Sequence, residues 1–124
     1  MKAWLAAEAR RFWGTCVYSW RGWRAAWASE KTLRQWTLAN ALSIAAALLL
    51  PLSSGERALI VALGLLLLAA ELMNTAIETV VNQLSPQRHP LAAKAKDCGS
   101  AAVALTAIAA GAAWVFVLWG LWVD

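Results

Sequence analysis

The chain has 124 residues, of which 61% are hydrophobic and only 15% are charged. This composition is too apolar for a soluble domain of this length, and it predicts an integral membrane protein of the all-α class. The net charge of +4 does not indicate a nucleic-acid partner. The basic residues flank the apolar segments, as they do in membrane proteins, where they also attract an anionic membrane surface.

The first segment, about 1–31, predicts an amphipathic helix that lies on the membrane surface. Tryptophans and arginines interleave along it from Trp4 to Trp27, a pattern typical of interfacial helices. No apolar run followed by a small-residue cleavage site is present, so we expect no signal peptide. A role as an anchor and a role in gripping substrate are equally compatible with this pattern.

Three further segments, roughly 33–52, 57–84 and 97–123, are long enough to span a bilayer. A turn is predicted at 51–56 and a polar loop at 85–96. Seven of the eleven basic residues precede or open the first span, and three lie between the second and the third. The N-terminus and the second loop are therefore predicted to be cytoplasmic, and the chain 1–124 is predicted to be one membrane domain.

The most apolar segment, 63–84, carries two glutamates and an asparagine at regular spacing. Glu71, Asn74 and Glu78 are spaced i, i+3 and i+7, which places them on one face of a helix. Ionisable groups within a membrane span are costly and normally mark a functional site. The alternative is that the two carboxylates are buried partners of a Lys or Arg from a neighbouring helix.

Further polar residues are expected at the cytoplasmic ends of the spans. Glu30, Glu78, Asp97 and Lys96 would converge there, and carboxylates with a lysine suit Mg²⁺ and nucleotide phosphates. The deeper Glu71 suits proton abstraction from a hydroxyl. No glycine-rich phosphate loop is present. The residues alone leave open an enzyme or an ion-coupled transporter.

Two motifs carry a resemblance to a known family. ELMNTAIETVVN at 71–82 and AKDCGSAAV at 95–103 resemble the signature of the bacterial diacylglycerol kinases, and 18–30 and His89 agree in order. The resemblance implies a homotrimer with three transmembrane helices and an N-terminal amphipathic helix in each chain. It implies ATP-dependent phosphorylation of a lipid hydroxyl at the cytoplasmic face of the bacterial inner membrane.

The resemblance also implies roles for individual residues. Glu71 would be the general base, Asn74 would help to position the reacting groups, and Glu30 with Glu78 would hold Mg²⁺. The residues implied to bind the nucleotide are Arg11, Tyr18, Glu30, Glu78, Asn82, Gln87, Arg88, His89, Lys96 and Asp97. Those implied to meet the lipid or the transferring phosphate are Arg11, Ser19, Trp20, Arg24, Trp27, Glu71 and Ser100.

The sequence departs from the family pattern at three positions. Asn82 stands where members often have Asp, and Trp36 and Pro90 stand where an acid is common. The leading expectation is conversion of diacylglycerol to phosphatidic acid, with phosphorylation of undecaprenol, the activity of close relatives, as the alternative. A proton-coupled transporter and a purely structural membrane subunit are the alternatives from other classes.

Overall fold

The computed structural model describes residues 1–123, and all of its regular structure is helical. Four helices follow one another: α1 (Lys2–Ser29), α2 (Lys31–Leu49), α3 (Ser54–Leu84) and α4 (Pro90–Val123). The predicted all-α class is confirmed. The chain divides into two compact units, 1–30 and 31–124, so that α1 forms the first and the other three helices form the second.

Helix α1 ends at Glu30, whose backbone is extended. The Glu30 N–H donates to the carbonyl of Ala26 at 2.7 Å, and the Ser29 hydroxyl donates to the Glu30 carboxylate at 2.7 Å. The helix exposes many of its large aromatic side chains, among them Trp4, Phe12, Trp13, Tyr18 and Trp20. Exposed aromatics of this kind are what an interfacial helix requires, although the membrane-surface role itself stays a prediction.

Within the second unit, α3 packs against both α2 and α4. A cluster of buried side chains joins these helices near the α2–α3 connection: Ala47, Leu52, Ile60 and Val117, with Leu50 and Trp114 packed against them. The indole N–H of Trp114 also donates to the Ser43 hydroxyl at 2.8 Å. This hydrogen bond links α4 to α2 across 71 residues of chain.

The α2–α3 connection is closed by a capping box. The Ser53 N–H donates to the Glu56 carboxylate at 2.7 Å, and the Glu56 N–H donates to the Ser53 hydroxyl at 3.3 Å. Each residue thereby satisfies a backbone donor at the start of α3. The helix therefore begins at Ser54, three residues before the predicted span.

The expectation of a polar loop at 85–96 is wrong, because α4 begins at Pro90. Proline is well tolerated at the first helical position, where its missing N–H would have no intrahelical partner. The residues that follow, LAAKAK, are good helix formers. The connection between α3 and α4 is accordingly limited to 85–89.

Two of the described helices, α3 and α4, are long and apolar enough to cross a membrane. Helix α2 has 19 residues and opens with a polar stretch from Lys31 to Gln35, which lowers its average hydropathy. A third crossing by α2 therefore stays a prediction, as does the trimer.

Arg57 connects the start of α3 to the end of α2. Its Nε donates to the Ala47 carbonyl at 3.0 Å, and its terminal nitrogen donates to the Leu50 carbonyl at 3.2 Å. Carbonyls in the last turn of a helix lack intrahelical partners, and a cation there also opposes the negative end of the helix dipole. We therefore expect Arg57→Ala to lower the free energy of unfolding by about 1–3 kcal/mol, the scale of hydrogen bonds to a charged group.

Unfolding of detergent-solubilised protein in SDS, followed by tryptophan fluorescence, measures this loss. Arg57→Lys should lose less stability than Arg57→Ala, because the lysine ammonium keeps the positive charge. It should still be less stable than the wild type, because an ammonium cannot present the planar pair of donors of a guanidinium. Arg10→Ala, at an exposed site on α1, is the matched control and should be nearly silent. Equal losses for Arg57→Ala and Arg10→Ala would contradict the capping role.

Candidate functional site

The polar stripe on α3 forms a connected arrangement. Glu71 is buried, with 5% of its surface exposed, and Asn74 and Glu78 are half-buried. The Asn74 carboxamide nitrogen donates to Glu78 Oε1 at 3.2 Å. The structure therefore brings Asn74 and Glu78, which are one helical turn apart, into direct contact. Glu71 lies on the same helix, one turn further from the α3–α4 connection.

The two carboxylates of this stripe have no ion-pair partner among residues 1–123. No ion pair among these residues therefore offsets the cost of burying Glu71. A carboxylate kept in apolar surroundings without such a partner is costly for stability. This favours a chemical role for Glu71 over a role in holding helices together.

A surface pocket of about 630 Å³ lies where α3 meets α4. Its volume falls within the range of small-molecule sites. It is lined by Val81, Asn82, Ser85, Pro86, Gln87, Arg88, His89, Pro90, Ala92, Ala93 and Lys96. Five of these residues, Asn82, Gln87, Arg88, His89 and Lys96, are ones for which the sequence resemblance implies nucleotide contacts.

The pocket is electropositive. Arg88 and Lys96 line it, and none of the described residues that line it is acidic. The first turn of α4 also forms part of the wall, and the N-terminal end of a helix carries partial positive charge. Lys96 Nζ donates to Asn82 Oδ1 at 3.1 Å. Because this acceptor is neutral, the full charge of the lysine remains available to an anion.

His89 has a defined role at the start of α4. Its Nδ1 accepts a hydrogen bond from the Leu91 N–H at 3.2 Å, and its carbonyl accepts one from the Ala93 N–H at 3.0 Å. His89 is thus the N-cap of α4. Since Nδ1 acts as an acceptor, the proton of the neutral imidazole resides on Nε2, which is then a donor.

The remaining predicted residues lie elsewhere. Asp97 and Ser100 are exposed in α4 next to the pocket-lining Lys96 but do not line the pocket. The Arg11 guanidinium donates to Glu8 at 2.9 Å in an exposed pair, which is weak enough for a phosphate to displace. Residues of α1 belong to the first unit, and their binding roles stay predictions: Arg11, Tyr18, Ser19, Trp20, Arg24 and Trp27, with Glu30 at the end of the helix.

The residues present fit a magnesium ion carried in with a phosphate. Among residues 1–123, no group of three or more His, Cys, Asp or Glu side chains could hold a metal by itself. Mg²⁺, however, commonly takes one or two carboxylates and completes its shell with substrate phosphates and water. Glu78 has one oxygen held by Asn74, which leaves Oε2 for a metal. The pairing of Glu78 with Glu30 as ligands stays a prediction.

Sequence reasoning missed one residue of this site. Gly99 is buried in α4, and its Cα lies against the Asn74 carboxamide. It stands inside the AKDCGSAAV motif, but a glycine among many small residues gives no sign of which side chain approaches it. Ser85 and Ala92 also line the pocket, and they were not predicted because α4 begins earlier than hydropathy indicates.

Comparison with known proteins points to one family. A family model described as prokaryotic diacylglycerol kinase matches residues 17–118. A diacylglycerol kinase of Pseudomonas aeruginosa is 49% identical over 105 residues, covering 83% of this chain and 84% of the relative. Diacylglycerol kinases of Escherichia coli K12 and Haemophilus influenzae are 39% and 34% identical, each covering 82% of this chain and 84% and 86% of the relative.

The fold and the site define a helical membrane-type protein in which an electropositive pocket adjoins a polar stripe in an apolar helix. The chain belongs to the prokaryotic diacylglycerol kinase family and is a lipid kinase.

The cap formed by His89 can be tested apart from any binding role. His89→Ala should loosen the first turn of α4, at a cost of about 0.5–2 kcal/mol for a lost N-cap. His89→Asn should restore most of this stability, because an Asn side chain is a good N-cap acceptor. Hydrogen exchange at the amides of Leu91 and Ala93 reports the effect, and equal protection in His89→Ala and the wild type would show that the cap contributes nothing.

Proposed function

We propose that this protein transfers the γ-phosphoryl group of ATP to the hydroxyl of diacylglycerol, giving phosphatidic acid, at the cytoplasmic face of the bacterial inner membrane. The observation that carries the proposal is the continuity of pocket and stripe on one helix. Asn82 lines the pocket. The stripe residues Glu78, Asn74 and Glu71 precede Asn82 by 4, 8 and 11 positions, which corresponds to about 6, 12 and 16 Å along α3. A water-borne anion and a membrane hydroxyl can thus meet along α3.

Glu71 serves as the general base. The lipid hydroxyl oxygen attacks the γ-phosphorus, its proton passes to Glu71, and the bond from the γ-phosphorus to the bridging oxygen of ADP breaks. Because Glu71 is buried, water is kept away from it and does not compete with the lipid hydroxyl as the acceptor of the phosphoryl group. Asn74 lies between Glu71 and Glu78 along the stripe and helps to position the reacting groups.

The pocket side chains bind the nucleotide. Arg88, Lys96 and the first turn of α4 offset phosphate charge, His89 donates through Nε2, and Gln87 supplies an amide. Phosphoryl transfer is catalysed mainly by positioning and by charge neutralisation, and this set provides both. By resemblance to the family, Arg11, Tyr18 and Asp97 complete the nucleotide site.

Glu30 and Glu78 would hold Mg²⁺ on the ATP phosphates. The ion supplies positive charge against the phosphate oxygens during transfer. Glu78 is suited to this task because Asn74 fixes one of its oxygens at 3.2 Å. A carboxylate whose orientation is fixed by a hydrogen bond from a neighbouring side chain is better placed to bind a metal than a freely rotating one.

The lipid contacts assigned by resemblance are Arg11, Ser19, Trp20, Arg24, Trp27, Glu71 and Ser100. The exposed apolar side chains of α3 and α4, such as Leu65, Met73, Leu105 and Phe116, provide surface for acyl chains or for other subunits. Three membrane-spanning helices, a cytoplasmic N-terminus and a homotrimer complete the proposed assembly. The basic, aromatic α1 lies on the anionic membrane surface.

The direct test is phosphate transfer from labelled ATP with Mg²⁺ to diacylglycerol and, in parallel, to undecaprenol in mixed micelles. The wild type should produce labelled phosphatidic acid. Glu71→Gln should lower the rate by about 10²–10⁴-fold, the usual contribution of a general base. Glu56→Gln is the matched control, because Glu56 lies on the same helix at its opposite end, and it should keep the wild-type rate.

Label mainly in undecaprenyl phosphate would assign the protein to the other known acceptor. Transfer to neither lipid by a folded, oligomeric sample would contradict the kinase proposal and favour a proton-coupled transporter. A Glu71→Gln variant that retains the wild-type rate would remove Glu71 from the chemistry.

The side chain at position 82 contacts Lys96, so its charge affects the net charge of the pocket. Asn82→Asp places a carboxylate against Lys96, and an exposed ion pair of this kind is worth about 0.2–1 kcal/mol. We therefore expect a non-hydrolysable ATP analogue to bind about two- to fivefold more weakly, with the difference shrinking at high salt. The neutral Asn82→Ser is the matched control and should bind the analogue more tightly than Asn82→Asp does. Calorimetry makes the comparison, and unchanged or tighter binding by Asn82→Asp would contradict it.

A further inference from the structure

Gly99 of α4 lies against the side chain of Asn74 where α4 packs on α3. A Cβ atom added to Gly99 would collide with Asn74 Oδ1 and would lie 3.4 Å from Asn74 Cγ and 3.5 Å from Ile77 Cδ1. The contact with Ile77 is ordinary, whereas the contact with Asn74 requires the carboxamide to move. Only glycine at position 99 is therefore compatible with the observed placement of the Asn74 side chain.

The carboxamide of Asn74 is held in one orientation. Its nitrogen donates to Glu78 Oε1 at 3.2 Å, and its Oδ1 is buried without a hydrogen-bond partner among the described residues. Rotating the amide by half a turn would set Oδ1 against a carboxylate oxygen, which offers no hydrogen to share. The hydrogen bond to Glu78 thus sets the orientation of the Asn74 carboxamide, and the backbone of Gly99 limits its position.

We propose that Gly99 is a positioning residue for the metal-binding carboxylate, acting through Asn74. By lacking a side chain it lets α4 approach α3 closely enough to confine the Asn74 amide, and the confined amide holds Glu78 in the orientation that serves Mg²⁺ and the phosphates. The steric part of this inference stands on the contact alone, and only the consequence for metal binding rests on the proposed function.

A second glycine provides an internal comparison. A Cβ on Gly64 of α3 would collide with the carboxamide oxygen of Asn40 in α2. The Asn40 amide, however, donates to the Trp36 carbonyl of its own helix at 3.1 Å. Gly64 therefore has the same steric relation to an asparagine but no connection to a carboxylate. If close packing alone mattered, alanine at either position would have the same consequences.

The chain contains only three asparagines, Asn40, Asn74 and Asn82, so ¹⁵N-asparagine labelling resolves three side-chain amide pairs by NMR. Gly99→Ala should shift the Asn74 pair and leave the Asn40 pair in place. Gly64→Ala should do the reverse. Gly111→Ala, at a glycine with nothing within 4 Å of an added Cβ, should shift neither.

Binding of Mn²⁺ with a non-hydrolysable ATP analogue, followed by electron paramagnetic resonance, measures the consequence for the metal. Gly99→Ala should weaken Mn²⁺ binding by about tenfold or more, as expected for a lost hydrogen bond to a charged group. Gly64→Ala and Gly111→Ala should stay within about twofold of the wild type, the scale of changes away from such contacts.

The double variant Gly99→Ala/Asn74→Ala separates positioning from general packing. Once the Asn74 amide is removed, alanine at 99 has nothing to displace, so the double variant should bind Mn²⁺ no more weakly than Asn74→Ala. If Gly99→Ala alone fails to fold, the double variant should fold. Additive losses in Mn²⁺ affinity, or a double variant that also fails to fold, would overturn the proposal.

Glu78→Gln locates the cause of any failure. If Glu78→Gln weakens Mn²⁺ binding and Gly99→Ala does not, the positioning role of Gly99 is refuted while the proposed function stands. If neither variant changes Mn²⁺ binding, the assignment of Glu78 to the metal is what fails, and the proposed positioning fails with it. The NMR shifts then still report whether Gly99 confines Asn74.

Discussion

The antiparallel packing of α3 against α4 is the contact on which the rest of the site depends. Polar groups inside an apolar helix are tolerated only where neighbouring protein gives them partners or a use. Two residues of α4 contact the polar side chains of α3: Gly99 lies against the Asn74 amide, and Lys96 donates to Asn82. A shift of α4 along α3 would disrupt both contacts together, so one helix register fixes the stripe and the pocket.

Charge is distributed along this helix pair in a way that suits phosphoryl transfer. Basic side chains and the start of α4 surround the pocket, whereas carboxylates follow one and three turns further along α3. On the proposed function, an anion is attracted to the pocket, while Glu71 lies deeper in the apolar part of α3, where it would accept the proton of the lipid hydroxyl.

Sequence patterns predicted the parts of the site that lie on one element. Spacing alone put Glu71, Asn74 and Glu78 on one face, because side chains three and four apart share a helix face. The capping box Ser53–Glu56 is a local pattern of the same kind, and it marks the start of α3 more closely than hydropathy does. Gly99 could not be predicted, because the approach of two helices is a tertiary property that no local pattern encodes.

On the proposed function, the pocket between α3 and α4 receives the nucleotide. Photolabelling of the membrane-embedded protein with an azido-ATP analogue, followed by peptide mass spectrometry, tests it most directly. Nucleotide binding in this pocket should give label within 81–96 that excess unlabelled Mg-ATP abolishes and that phosphate alone leaves largely in place. Competable label confined to another segment, with none in 81–96, would contradict it.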